Sequence, residues 1–210
     1  MTDTPVRQPT AEEHAVHHPG AAQLEAALAV VRSAPRDVGS LELLVRRPET
    51  EAREMLDHVR LTAAEGLEGD NWRHRGSKRT DDGSAHPDMQ LNVMSAAAVR
   101  AVAGEDRERW AWAGDQLIVD LDLSFANLPA GSLLEIGRPG EEPGAVIEVT
   151  DQPHRGCLKF KDRFGKAALF WVSSDQGVPL RLRGLNARVV SEGEVRVGDE
   201  VRVRRPDQAP

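Results

Sequence analysis

Near its C-terminus the chain reads Gly193-Glu194-Val195-Arg196-Val197-Gly198-Asp199-Glu200-Val201-Arg202-Val203, and this stretch decides the fold class. Valine alternates with charged residues on both sides of a Gly-Asp pair, which is the period of a strand with one buried face. Gly-Asp is itself a turn sequence. The pattern therefore predicts a β-hairpin with one apolar face.

The same alternation of short apolar segments and turn residues extends back to Gly114. Short apolar segments recur between turn residues at 117–119, 133–136, 145–149 and 187–190. Many short strands separated by Gly and Pro turns, with little helix, predict a mainly β protein built as a closed or nearly closed barrel. One helix, over 164–172, is expected among these strands and would cover one end of the barrel.

The first strands precede this region. Leu41, Leu43 and Val45 stand at every second position, the period of a half-buried strand, and predict a strand that Pro48 ends. Further strands are expected at 59–61 and 90–94, followed by helices at 96–102, capped by Ser95, and at 105–112. We therefore place the start of the barrel domain near residue 39.

The N-terminal segment has a different character. Residues 1 to about 20 lack periodicity and predict disorder, whereas Leu24, Leu28 and Val31 recur at helical spacing and predict a short amphipathic helix. The expected organisation is a disordered tail plus a short helix over 1–38, the barrel domain over 39–205, and a tail over 206–210.

Composition excludes several partner classes. The chain carries 27 Lys and Arg residues against 34 Asp and Glu residues, a net charge of -7, so a broad electrostatic grip on nucleic acid is not expected. The longest apolar run near the N-terminus, Ala26 to Val31, is far too short for a membrane span or a secretory signal. We expect a cytoplasmic protein that binds neither nucleic acid nor membrane.

Cys157 is the only cysteine, and it stands in Gln152-Pro153-His154-Arg155-Gly156-Cys157. A lone thiol forms no internal disulfide, so it is a buried small hydrophobe, a nucleophile, a sulfur carrier or a soft-metal ligand. The adjacent histidine and arginine favour ionisation of the thiol, and the glycine admits a close ligand. His154 is the candidate proton carrier, although a histidine in a turn can also be merely solvated.

Four short motifs occur in a fixed order over roughly 40 to 205: Gly66 to Asp70, Gly114 to Leu117 ahead of Leu128 to Gly137, Pro153 to Cys157, and Gly193 to Val201. With these motifs the chain resembles the MOSC family, the C-terminal module of molybdenum cofactor sulfurases. The family also includes stand-alone bacterial proteins, and this chain looks like one of them.

The resemblance implies a pyruvate-kinase-like β-barrel with a few peripheral helices. It also implies a molybdenum-pterin cofactor, molybdopterin, with Cys157 as metal ligand or persulfide carrier. Family members reduce N-hydroxylated compounds or carry sulfur to the cofactor. Pyridoxal phosphate is attached to the wider family through sulfurase domains, but it is not expected in this chain, because 210 residues cannot hold such a domain beside the barrel.

The sequence departs from the family pattern at two places. His86-Pro87-Asp88-Met89-Gln90 stands where many stand-alone members carry a His-Gly-Gly stretch, and Gly114-Asp115-Gln116-Leu117 replaces Gly-Glu-Asn-Leu. In the second motif, aspartate keeps the carboxylate and glutamine keeps the amide, so hydrogen bonding to a pterin is retained.

Cationic residues around the thiol are candidates for holding an anionic pterin phosphate. Arg155 and Lys159 are expected to contact the cofactor, together with Lys161 and Arg163 if alternate side chains face inward; otherwise they form a solvated basic edge. Arg73 leads a second basic group that includes Arg75, Lys78 and Arg79. These residues either close over the same anion or form a surface charge run.

Four further residues are candidate cofactor contacts. Trp72 could stack on a flat pterin or belong to the core. Asp70, Asp115 and Asn127 could hydrogen-bond the cofactor or simply bond to nearby backbone in turns.

Our first functional hypothesis is a molybdenum-cofactor-dependent oxidoreductase that reduces N-hydroxylated or related oxygenated small molecules. It needs a separate electron-donor reductase, because the chain has no flavin, haem or iron–sulfur motif. The alternative is a non-catalytic carrier that passes a persulfide or the cofactor to an accepting enzyme. A third possibility is a barrel used only for protein contact, with Cys157 buried.

Overall fold

The computed structural model describes residues 4–7, 9–10, 12–13 and 18–206. The strands are β1 (Thr4–Pro5), β2 (Val38–Arg46), β3 (Glu54–Leu56), β4 (His58–Thr62), β5 (Gly66–Leu67), β6 (Leu91–Ser95), β7 (Leu117–Asp120), β8 (Leu133–Gly137), β9 (Ala145–Val149), β10 (Leu185–Ser191), β11 (Gly193–Arg196) and β12 (Glu200–Arg204). The helices are α1 (Ala21–Arg32), α2 (Trp72–Arg75), α3 (Ala96–Ala103), α4 (Arg107–Ala111) and α5 (Leu158–Val172), with a 3₁₀ turn at Pro87–Met89.

A β-barrel forms the body of the molecule. Within the described ranges, seven strands pair in the order β2-β12-β8-β9-β10-β6-β7, and β7 pairs with β2 again, which closes the barrel. All of these pairs are antiparallel except β6 with β7. Alternate side chains point inward and fill the barrel with aliphatic residues such as Leu41, Leu117 and Ile147. The mainly β fold is thereby confirmed.

The C-terminal hairpin prediction is wrong. β11 pairs with β4, with Val195 opposite Val59, in a separate three-stranded sheet with β5, whereas β12 pairs with β2 and β8 in the barrel. The turn itself forms, since the Asp199 carboxylate accepts a hydrogen bond from the Arg196 amide at 2.7 Å. The backbone amide of Gly198, which has φ +92°, donates to the Leu41 carbonyl of β2 at 2.8 Å. The turn therefore lies against β2, and β11 and β12 do not pair with each other.

A second apolar core lies between the barrel and the helices α1, α3 and α5. α1 contributes Leu24, Leu28 and Val31, as the sequence predicts. α5 begins at Leu158, directly after Cys157, and so starts six residues earlier than expected; Gly165, with φ +89°, interrupts it. No helix within the described ranges combines the length and the apolar character needed to cross a bilayer.

The prediction of disorder before about residue 20 is wrong for residues 4–7. β1 pairs with β3, placing Thr4 opposite Met55, and Val6 is buried in the helical core. The rest of this prediction falls partly on residues 1–3, 8, 11 and 14–17, and the predicted C-terminal tail falls mostly on residues 207–210. All of these lie outside the described residues.

Candidate functional site

A cavity of about 220 Å³ opens beside Cys157, and we call it the thiol cavity. It lies where the β9–α5 connection meets the β2–β3 loop. Cys157 is exposed on its wall, immediately before α5. The described residues that line the thiol cavity include six arginines and one lysine, namely Arg47, Arg53, Arg75, Arg155, Arg163, Arg183 and Lys159. The thiol therefore faces a strongly cationic environment.

Arg47 is held in this wall by a buried ion pair. Its Nε and Nη2 atoms donate to the two carboxylate oxygens of Asp70, each at 2.8 Å. The same carboxylate accepts the backbone amides of Arg47 at 3.0 Å and Trp72 at 2.9 Å. A bidentate pair with this many donors fixes the guanidinium in one orientation. Asp70 thus acts on the cavity through Arg47 and is not part of its lining.

A second buried pair supports His154. The fully buried carboxylate of Asp115 accepts from Arg183 Nη1 at 2.7 Å and lies 3.0 Å from His154 Nε2. The other ring nitrogen, Nδ1, lies 3.5 Å from the side-chain nitrogen Nδ2 of Asn92. Because Asp115 can only accept, this arrangement assigns the proton of the neutral ring to Nε2 and leaves Nδ1 as the acceptor.

The pKa values of His154 and Asp115 are shifted because both side chains are buried beside Arg183. Burial and then the nearby charge of Arg183 lower the pKa of His154 from its ordinary value of 6.5. Burial alone would raise the pKa of Asp115, but the charge of Arg183 and the contact with His154 outweigh it and leave that pKa below 3.8. At neutral pH the group is therefore a carboxylate, a guanidinium and a neutral imidazole.

Stability should depend on pH through His154. Below about pH 6.5 the unfolded chain binds a proton on this histidine, whereas the folded protein resists it, so folding stability should fall as the pH drops. The groups that face the ring are Asp115, Arg183, Asn92 and, further away, Arg47. We expect His154→Gln to flatten this dependence, as measured by urea unfolding between about pH 5 and 8.

The matched control is His74→Gln, which changes an exposed histidine outside the cavity lining. It should leave the pH slope of the wild type unchanged. Equal slopes for wild type and His154→Gln would contradict the assignment.

Buried amides link the two ion pairs. Asn92 accepts from Arg47 Nη1 at 3.0 Å and donates to Asn186 at 2.6 Å. The backbone amide of Asn92 in turn donates to the side-chain oxygen of Gln116 at 2.8 Å. The family departure at Asp115-Gln116 thus falls on side chains that are fully buried and hydrogen-bonded beneath the cavity.

The thiol cavity carries more positive charge than its carboxylates balance. The carboxylate of Glu51 pairs with both Lys159 and Arg163. Among the described residues, Arg53, Arg75 and Arg155 have no carboxylate partner within ion-pair distance. Burial, reinforced by Arg163, lowers the pKa of Arg53 to about 10, so its side chain is still charged at neutral pH. Such a surplus favours an anionic ligand.

Several predicted site residues meet in this cavity. Cys157, His154, Arg155 and Lys159 all line it, and Arg163 joins them from α5. Arg73 is exposed and does not line it, whereas Arg75 of the same short helix α2 does.

Two predicted cofactor contacts lie elsewhere. Trp72 is only 8% exposed and does not line the cavity, which agrees with the core placement that the sequence left open. Asn127 is fully buried and does not line the thiol cavity; its amide donates to the carbonyls of Arg36, which precedes β2, and Asp122. A cofactor contact has no support at either position.

Sequence reasoning missed three arginines and an asparagine of this wall, namely Arg47, Arg53, Arg183 and Asn92. A signal existed for Arg47, which stands between an apolar strand and Pro48, and for Arg183, which precedes Gly184 and β10. Charged residues at strand ends are where barrels often build sites. Their acidic partners could not be identified from such local patterns.

No group of three or more His, Cys, Asp or Glu side chains among the described residues could hold a metal ion by itself. Within the described ranges Cys157 therefore belongs to no such group. A metal at this site would need most of its ligands from a cofactor.

A family model described as MOSC domain matches residues 60–202. Among solved structures, the YuaD protein from Bacillus subtilis aligns with a TM-score of 0.58 and 17% identity, over 79% of this chain and 95% of that chain. YiiM from Escherichia coli aligns with a TM-score of 0.47 and 21% identity, over 79% of this chain and 69% of that one. The search of curated proteins finds no match.

Proposed function

Because this chain belongs to the MOSC domain family, we propose that it binds a molybdenum-pterin cofactor in the thiol cavity and reduces N-hydroxylated or related oxygenated small molecules. The observation that carries the proposal is the accessible Cys157 thiol within a wall of excess positive charge. A thiolate is a soft donor suited to molybdenum, and the cations suit a phosphate-bearing ligand. The reducing cytoplasm, where we place the protein, would keep this thiol free.

Unsatisfied donors in the wall support the fit. Among the described residues, the buried Nε atoms of Arg53 and Arg183 have no hydrogen-bond partner, although most buried polar groups are paired. A ligand oxygen in the cavity is the natural acceptor for such donors. At about 220 Å³ the cavity is smaller than the roughly 300–1,000 Å³ of most ligand sites, so it would enclose only part of the cofactor.

Different residues of the cavity would bind the metal, bind the phosphate and transfer the proton. Cys157 Sγ would hold the metal, and Arg53 and Arg75 would bind the phosphate. When bound, the cofactor supplies two-electron removal of an oxygen atom. Conversion of N–OH to N–H and water consumes two protons and two electrons, so a proton relay is needed. His154, which contacts Asp115 through Nε2, would accept and pass a proton at Nδ1. The electrons would come from a separate reductase.

The proposal is tested on protein purified from a host that makes the cofactor. We expect the purified protein to contain about one molybdenum and one pterin per chain. We also expect it to reduce an N-hydroxylated substrate when an electron donor is added. Protein free of molybdenum and pterin from that host would contradict the proposal.

A persulfide or cofactor carrier is the second candidate function, because an exposed thiol can transfer sulfur to another protein. In this case the partner is a cofactor-accepting enzyme in place of a reductase. A persulfide on Cys157, seen by mass spectrometry after incubation with a sulfur donor, without turnover in the reduction assay, would favour the carrier.

A further inference from the structure

A second cavity, of about 410 Å³, lies against the thiol cavity and shares His154, Arg155 and Arg183 with it. We call it the side cavity; its own wall includes Phe125, Val172, Val178, Arg181 and Leu185. We propose that the side cavity receives the organic body of the substrate and selects small aromatic compounds that carry a negative charge. This inference rests on the proposed function, since only a cofactor in the thiol cavity makes the ligand a substrate.

The size and the apolar wall suit an aromatic ring. A volume of about 410 Å³ falls within the roughly 300–1,000 Å³ of small-molecule sites. Phe125 and Val178 are 50% and 54% exposed, and both line this cavity. A ring placed against them would remove apolar surface from water.

The charge of the wall suits an anion. Arg181 is buried, and its Nη1 donates to the carbonyls of Leu128 at 2.6 Å and Leu123 at 3.3 Å, with no carboxylate partner among the described residues. Burial lowers the pKa of Arg181 to about 10, so the side chain keeps its charge at neutral pH. Its guanidinium carbon lies 3.9 Å from the centroid of the Phe125 ring, which places positive charge beside the apolar surface.

The remaining charges of the described lining do not cancel this excess. Asp151 is the one carboxylate of this described lining, and Arg155 is a second cation without a carboxylate partner; both side chains are exposed. Arg183 is balanced by Asp115. The net charge is therefore positive, and a carboxylate on the ligand would be favoured over an amine.

The residues shared by the two cavities relate the side cavity to the proposed reaction at Cys157. His154 and Arg155 border both cavities, so a ligand body in the side cavity would lie against the same side chains that face the thiol cavity, and its N–O group would pass beside them to reach Cys157. The aromatic body then stays in the wider cavity, while the reacting group reaches the narrower one.

The test measures binding of benzoate, benzamide and benzylamine to the protein without cofactor, by ligand-observed NMR titration. These three compounds share a ring and differ in charge. We expect benzoate to bind most tightly. Val178→Glu, which adds a negative charge to the side cavity alone, should weaken benzoate binding about tenfold and shift the preference toward benzylamine. The matched Val178→Gln should keep the benzoate preference.

Equal binding of the three compounds, or benzoate binding untouched by Val178→Glu, would overturn the inference. This outcome is independent of the proposed function, which is tested by molybdenum and pterin content. Charge-selective benzoate binding that responds to Val178→Glu in a protein that takes up no cofactor would leave the binding site standing and refute its role as a substrate site.

Discussion

Cys157→Ser should lose more than about a hundredfold of cofactor-dependent turnover while the fold stays intact. Loss of residues that merely support metal ligands typically costs 10–100-fold in metal affinity or activity, so loss of the only thiolate donor should cost more. A serine hydroxyl stays protonated at neutral pH and is a poor soft-metal donor. Because Cys157 is exposed, its replacement should leave the free energy of unfolding nearly unchanged.

The measurement is molybdenum content and reduction rate of wild type and variant purified from the same cofactor-producing host, with urea unfolding of each. Leu158→Ala is the matched control, because the neighbouring side chain is 70% exposed and does not line the thiol cavity. The control should retain both cofactor and rate. A folded Cys157→Ser protein with unchanged molybdenum content and turnover would refute the ligand role.

Asp70→Asn should destabilise the protein by about 3–5 kcal/mol, the usual cost of removing one partner of a buried ion pair. The change preserves the shape of the side chain but leaves the buried guanidinium of Arg47 without its counter-charge. One amide oxygen also cannot replace two carboxylate oxygens that together accept from Arg47 and from the Trp72 amide. Urea unfolding at neutral pH measures the effect.

Asp37→Asn provides the comparison. Asp37 also pairs with an arginine, Arg205, at 2.8 Å, but its side chain is 75% exposed, so its loss should cost only about 0–1 kcal/mol. Similar costs for the two variants would show that the Arg47–Asp70 pair does not hold the cavity wall together.

Most strand positions of the barrel could be predicted because a strand leaves a short run of apolar residues in the sequence. In β2 the apolar residues at every second position marked the strand, but the expectation of a single buried face was wrong. Leu41 and Leu44 pack in the barrel core, whereas Leu43 and Val45 pack in the helical core, so both faces of the strand are buried. The same pattern at 195–203 reports the buried faces of β11 and β12 correctly but says nothing about their partners. Their pairing with β4, β2 and β8 depends on segments more than sixty residues away, so the hairpin prediction failed.

The candidate site divides in the same way. A single six-residue segment contains His154, Arg155, Cys157 and Lys159, so one sequence motif was enough to predict all four as site residues. The charges that orient them come from far along the chain: Asp115 is 39 residues from His154 and 68 from Arg183, and Asp70 is 23 residues from Arg47. No local pattern identifies such pairs.

The sequence alone determined the mainly β class, the positions of most barrel strands and helices, and the motif that presents the thiol, because burial periodicity, turn chemistry and residue type act over a few neighbouring residues. Only the tertiary structure decided that Trp72 and Asn127 lie away from the thiol cavity and that Arg47, Arg53 and Arg183 line it. The reason is physical: closing the barrel sets which strand ends meet, and burial then requires each charge brought there to find a partner wherever it lies in the chain.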